Sequence, residues 1–68
     1  MKIKFTEIKE LYDFLKITQS INSKVILKQE HYVVDGSSFL GLFALNLLEP
    51  ITLEVDNNDY SQFAQYEV

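Results

Sequence analysis

From Gly36 to Leu48 the chain runs Gly-Ser-Ser-Phe-Leu-Gly-Leu-Phe-Ala-Leu-Asn-Leu-Leu without one charged side chain, and between Glu30 and Glu49 only His31 and Asp35 break the charge-free stretch. A helix lying on a protein surface carries polar residues on its outer side, so a segment of this kind either buries nearly all of itself or offers an apolar face to a partner. In a chain of 68 residues the first option is limited. One small domain with one core is all that this length supports, and with no cysteine to cross-link it the fold rests on packing alone.

The segments around this run have clear periods. Met1, Ile3 and Phe5 alternate with Lys2 and Lys4, which predicts a half-buried strand over 1–5. Thr6 offers a hydroxyl cap for a helix reaching about Ser20, with Glu7 and Glu10 in its first turns where the helix dipole favours anions. Its inward stripe reads as Ile8, Leu11, Tyr12, Leu15 and Thr18, widened by Phe14, Ile17 and Ile21. Asn22 and Ser23 end the helix, Lys24–Gln29 and Tyr32–Val34 read as two short strands, and Gln29-Glu30-His31 supplies the turn between them.

Asp35 or Ser37 can cap the uncharged helix, expected from about Ser38 to Leu48, with Pro50 as its stop. Ile51, Leu53 and Val55 alternate with Thr52 and Glu54 in a fourth strand. After the polar turn Asp56-Asn57-Asn58-Asp59, Tyr60, Phe63 and Ala64 suit the inner side of a short last helix. The order is β-α-β-β-α-β with a helical tail. That is an α+β domain with helices layered on one face of a four-stranded, mainly antiparallel sheet.

Composition narrows the function. A formal net charge of −4 with six scattered lysines and no arginine speaks against nucleic acid, whose phosphates draw on clustered basic residues. No uncharged apolar run approaches the roughly 18 residues of a membrane span, and the N-terminus alternates where a signal peptide would be continuously apolar. Together with the absence of cysteine, this leads us to expect a cytoplasmic protein.

Chemistry-bearing groupings are sparse. His31 is the sole histidine, no motif sets a nucleophile beside it, and it reads as a solvated turn residue. Asp56 to Asp59 lacks the glycine and terminal glutamate of a calcium loop, so it reads as a capping turn. Gly36 and Gly41 have neither the spacing nor the following lysine of a phosphate-binding loop. No enzyme activity, metal or cofactor is expected from this inventory. Within the uncharged helix Leu42, Leu45 and Leu48 suit the sheet side, while Phe39, Leu40, Phe43 and Leu47 cannot all join them on a cylinder packed along one side.

The stretch Val34-Asp35-Gly36-Ser37-Ser38-Phe39-Leu40-Gly41-Leu42-Phe43-Ala44-Leu45, continued by Ile51-Thr52-Leu53, resembles HPr, the histidine-containing phosphocarrier of the bacterial sugar phosphotransferase system. The resemblance covers about a third of the chain and implies an open-faced β-sandwich in one domain over 1–68. It does not extend to the family's Gly-x-His-Ala-Arg-Pro signature. Counting back without gaps from Ser38 puts Glu7 where the phosphorylatable histidine would stand and Lys9 at the arginine position, which implies that histidine phosphotransfer is lost.

Ser38 matches the family's regulatory serine, and phosphate at a helix N-terminus is physically favourable; Ser37 and Ser38 equally suit plain capping roles. Phe39, Leu40 and Phe43 match the residues on which partners of HPr dock. The expectation is therefore a protein-interaction or regulatory module related to the phosphotransferase system, with Phe39, Leu40, Phe43 and Leu47 on its partner surface. Two alternatives stand beside it: a small homodimer joined through the apolar helix, and an active phosphocarrier.

Overall fold

A computed structural model describes residues 1–68. The chain forms β1 (Lys2–Ile3), α1 (Ile8–Ser20), β2 (Val25–Gln29), β3 (Tyr32–Asp35), α2 (Phe39–Leu42), β4 (Ile51–Val55) and a closing 3-10 helix (Ser61–Tyr66). The four strands make one sheet in the order β1-β4-β2-β3, antiparallel at every junction. The element order and the α+β class agree with the sequence periods.

Register explains why one face of this sheet holds the core. Ile3 pairs with Ile51, Leu27 with Leu53 and with Val34, and Val25 with Val55, so these side chains lie in rows on one side. The residues between them, Lys2, Thr52, Lys28, Val33, Ile26 and Glu54, form the opposite side, where Lys28 and Glu54 make an ion pair at 3.1 Å. Onto the apolar rows pack Leu11, Phe14 and Leu15 of α1, Leu42 and Leu45 of the α2 region, and Phe63 and Tyr66 of the closing helix. Phe14 is the hub of the aromatic part of the core, with Phe5, Phe63 and Tyr66 at ring-centroid distances of 5.3, 5.3 and 5.7 Å.

β1 spans two residues, although the alternation continues on either side of it: Ile3 and Phe5 are buried, Lys2 and Lys4 exposed. Its outer edge is covered by the C-terminal segment, where Ile3 bridges Glu67, the Lys4 amide donates to the Tyr66 carbonyl, and the Val68 amide donates to the Lys2 carbonyl. The β2–β3 loop is two residues long, since Gln29 pairs directly with Tyr32. Glu30 in this loop adopts a left-handed φ of 55°, and the His31 ring stacks on Tyr32 at 4.5 Å.

Three expectations are corrected by these elements. Thr6 does not cap α1: Glu7 occupies the N-cap without a side-chain cap bond, while the Thr6 amide and hydroxyl both donate to Glu10 Oε1. The buried stripe of α1 is Leu11, Phe14, Leu15 and Thr18, which leaves Ile8 and Tyr12 exposed. In the closing helix Phe63 and Tyr66 point inward and Ala64 faces solvent, because a three-residue repeat brings position 66, and not 64, onto the side of 63.

The largest correction concerns the uncharged helix, which ends at Leu42 and not at Leu48. One i to i−4 bond, from the Leu42 amide to the Ser38 carbonyl, is followed by three-residue turns from Ala44 to Gly41 and from Leu45 to Leu42. At Asn46 the ladder is taken over by a side chain from β2. The Asn46 amide donates to Gln29 Oε1 at 2.7 Å, and Gln29 Nε2 donates back to the Asn46 carbonyl at 2.7 Å. This pair replaces the bond that Asn46 would otherwise send to Leu42, so the chain leaves the helical path while keeping its polar groups satisfied.

Candidate functional site

The passage from β3 into α2 delivers Ser38, Phe39, Leu40 and Phe43 to one corner of the molecule, beside Tyr12 of α1. Ser38 is the N-cap of α2, its hydroxyl oxygen accepting from the Gly41 amide at 3.1 Å. Upstream, Asp35 Oδ1 accepts from both the amide and the hydroxyl of Ser37, which holds the turn that aims α2. These two bonds keep the Asp35 carboxyl below its ordinary range, the amide contributing most.

With Leu42 and Leu45 committed to the core, the other apolar side chains of the run have no place inside. Phe39, Leu40 and Phe43 are 39, 82 and 45% exposed, and Leu48, expected on the sheet side, is 76% exposed because the helix stops before it. Leu47 lies half-buried against the core. Thus Leu42 and Leu45 turn inward as their spacing predicts, and Phe39, Leu40 and Phe43 face outward.

The two exposed large apolar residues of α1 complete this surface. Tyr12, 47% exposed, stacks on Phe39 with centroids 5.5 Å apart and planes inclined by 21°, and Phe39 meets Phe43 edge-on at 4.9 Å and 80°. One turn before Tyr12, Ile8 is 58% exposed and lines a cleft of about 130 Å³ with Phe5, Leu11, Leu47 and Leu48, Glu7 standing at its rim. The result is an apolar face running from Ile8 through Tyr12 and Phe39 to Phe43, with Leu40 and Leu48 on it. Sequence periodicity assigned Ile8 and Tyr12 to the core; the signal for their exposure lies in Phe14, which takes the central position and rotates the helix by part of a turn.

Glu7 and Lys9, singled out in the sequence through the resemblance, are exposed at the start of α1. Lys9 pairs with Asp13 one turn on, at 3.2 Å. Elsewhere, a polar depression of about 940 Å³ over Lys2, Lys28, Tyr32, Asn46 and Thr52 mixes both charge signs, and no group of His, Asp or Glu side chains is placed to hold a metal ion. No helix is long and apolar enough to cross a membrane. No protein-family model, curated protein or solved structure matches this chain.

What the apolar face offers is recognition. Three rings locked against one another present rigid apolar area with few rotatable bonds left to immobilise, which is the composition of a binding hot spot.

Proposed function

We propose that this chain is an HPr-like interaction module of the sugar phosphotransferase system, acting through protein docking and not through phosphate carried on histidine. The observation that supports it best is the solvent-facing stack of Tyr12, Phe39 and Phe43, led by the N-cap Ser38 and flanked by Leu40. The β-α-β-β-α-β element order is compatible with the same reading. Glu7 stands at the start of α1 in place of an imidazole, and Lys9 is engaged by Asp13, so the pair that would accept and steady a phosphoryl group is missing. Leu47 serves the surface from its edge, half-buried under the cleft.

Ser38 is the regulatory position in this proposal. A phosphate there would set a charge of nearly −2 against an apolar face and oppose docking by the cost of desolvating it. Titration of the isotope-labelled chain with the general phosphoryl-donor enzyme of the system tests the reading. Expected are resonance shifts centred on Phe39, Leu40 and Phe43, loss of binding in Leu40→Asp, and no acid-labile phosphate after phosphoenolpyruvate is added. Binding elsewhere, no binding, or phosphate on His31 would overturn it. Treatment with the serine kinase of the family examines Ser38 independently.

A further inference from the structure

We propose that the apolar face is occupied by a second copy of this chain, docked about a twofold axis beside Tyr12 that sets the two α1 helices antiparallel. The inference rests on the reading of that face as a docking surface and names what covers it in the free chain, a second copy that a phosphotransferase-system partner has to displace. Area is the first argument. Six large apolar residues exposed to the extent given above present on the order of 600 Å² together, at or above the largest patch of an ordinary monomer. The whole molecule has 4305 Å² of surface, and a standard interface takes about 800 Å² from each partner, so this face and its immediate rim supply one side of a dimer.

Charge selects both the partner and the register. Glu7 and Lys16 are exposed, and neither belongs to an ion pair within the chain, the two intrachain bridges being Lys9–Asp13 and Lys28–Glu54. Ile8 and Lys16 each lie four residues from Tyr12, about 6 Å along the helix in opposite directions. An antiparallel twofold at Tyr12 therefore lays the stem of Lys16 over Ile8 of the other copy and brings its ammonium to the neighbouring Glu7, and does so twice. A parallel pairing would instead oppose Glu7 to Glu7 and Lys16 to Lys16. The same surface thus supplies its own complement in one orientation only.

Sedimentation equilibrium from micromolar to millimolar chain, at about 0.15 M salt so that the net charge on each copy is screened, reads the association directly. The expected mass rises from 7.9 kDa towards twice that value. Lys16→Glu weakens association by about tenfold or more, and Glu7→Lys combined with Lys16→Glu restores it to within about threefold of the original, since the charges are exchanged and the pairing kept. Leu40→Asp abolishes it with the circular dichroism spectrum unchanged. A single-chain mass throughout the range overturns the inference, as does a dimer that the double exchange fails to restore. A monomer that still binds the phosphoryl-donor enzyme through Leu40 and Phe43 sinks the second-copy inference alone and leaves the docking reading in place.

Discussion

The buried hydroxyl of Thr18 donates to the carbonyl oxygen of Gly36 at 3.0 Å, joining the last turn of α1 to the turn that launches α2. The same hydroxyl lies 3.1 Å from the Leu15 carbonyl, and Gly36 in turn sends its amide to Val25 at 2.8 Å. Thr18→Val keeps the shape and removes the donor, which leaves the Gly36 carbonyl dry. The expected loss is about 1–2 kcal/mol in urea unfolding, with an unchanged denaturant slope. Gln19→Ala, which removes only an exposed bond to the Ser37 carbonyl, should cost less than about 0.5 kcal/mol in the same assay.

Gly36 has no room for a side chain. A methyl group there would stand 2.6 Å from Val25 Cγ1, so Gly36→Ala should destabilise by about 1–3 kcal/mol through overpacking. Adding Val25→Ala should recover part of that loss if the clash is its cause; a strictly additive double variant would show that it is not.

Gln29 holds Asn46 by two reciprocal bonds, so Gln29→Ala should lower stability by about 1 kcal/mol and free the turn that follows α2. Hydrogen exchange is the decisive readout. The Asn46 amide should lose protection while the amides of β4 keep theirs.

Tyr66 carries a buried hydroxyl with no hydrogen-bond partner of good geometry, packed in the cluster of Phe5 and Phe14. Burial pushes its pKa above the ordinary tyrosine value, more than a weak contact with Gln65 lowers it. Tyr66→Phe should therefore be neutral or stabilising, by up to about 1 kcal/mol, whereas removal of a hydroxyl engaged in a buried hydrogen bond would show a loss. In an alkaline absorbance titration, one of the four tyrosines should ionise later than a free phenol and be missing from the variant.

Acid sensitivity follows from three exposed carboxylates. Glu10 is held below its ordinary pKa by the Thr6 hydroxyl and amide, Asp35 by the Ser37 amide and hydroxyl, and Asp59 by the Ser61 hydroxyl and amide. A depressed carboxylate stabilises the fold above its unfolded pKa and loses that contribution as pH falls through the folded one. Melting temperature should be level from neutrality to about pH 5 and decline below about pH 4. Asp35→Asn keeps an acceptor for Ser37 and removes the titration, so its melting curve should fall less steeply with acid.

The strands were the most legible part of the sequence, because burial on one face imposes an alternation that is complete within five residues. Ile51–Val55 shows it without interruption, and the buried rows of Ile3, Val25 and Leu27 follow the same rule. Two errors had causes remote along the chain. The early end of α2 is set by Gln29, seventeen residues before Asn46, and no local pattern carries that information. Likewise, the rotation of α1 is fixed by Phe14 meeting Phe63 and Tyr66, which lie about fifty residues further along the chain.

Half of the candidate surface was legible on the same grounds. Phe39, Leu40 and Phe43 stand out because an uncharged segment has more apolar side chains than one inner face accepts. Their companion Tyr12 does not, since an aromatic at helical spacing looks the same whether it is buried or stacked on a neighbouring element.

The cover that Glu67 and Val68 place over β1 also sets an order of assembly. The β2–β3 hairpin needs only contacts close in sequence and can form in microseconds on a growing chain. Strand β1, though it precedes the hairpin in the chain, has neighbours only in residues 51–52 and 66–68, and its hydrogen-bonding groups stay wet until those residues are in place. The first strand along the chain thus waits for the last residues of the fold before its hydrogen bonds close.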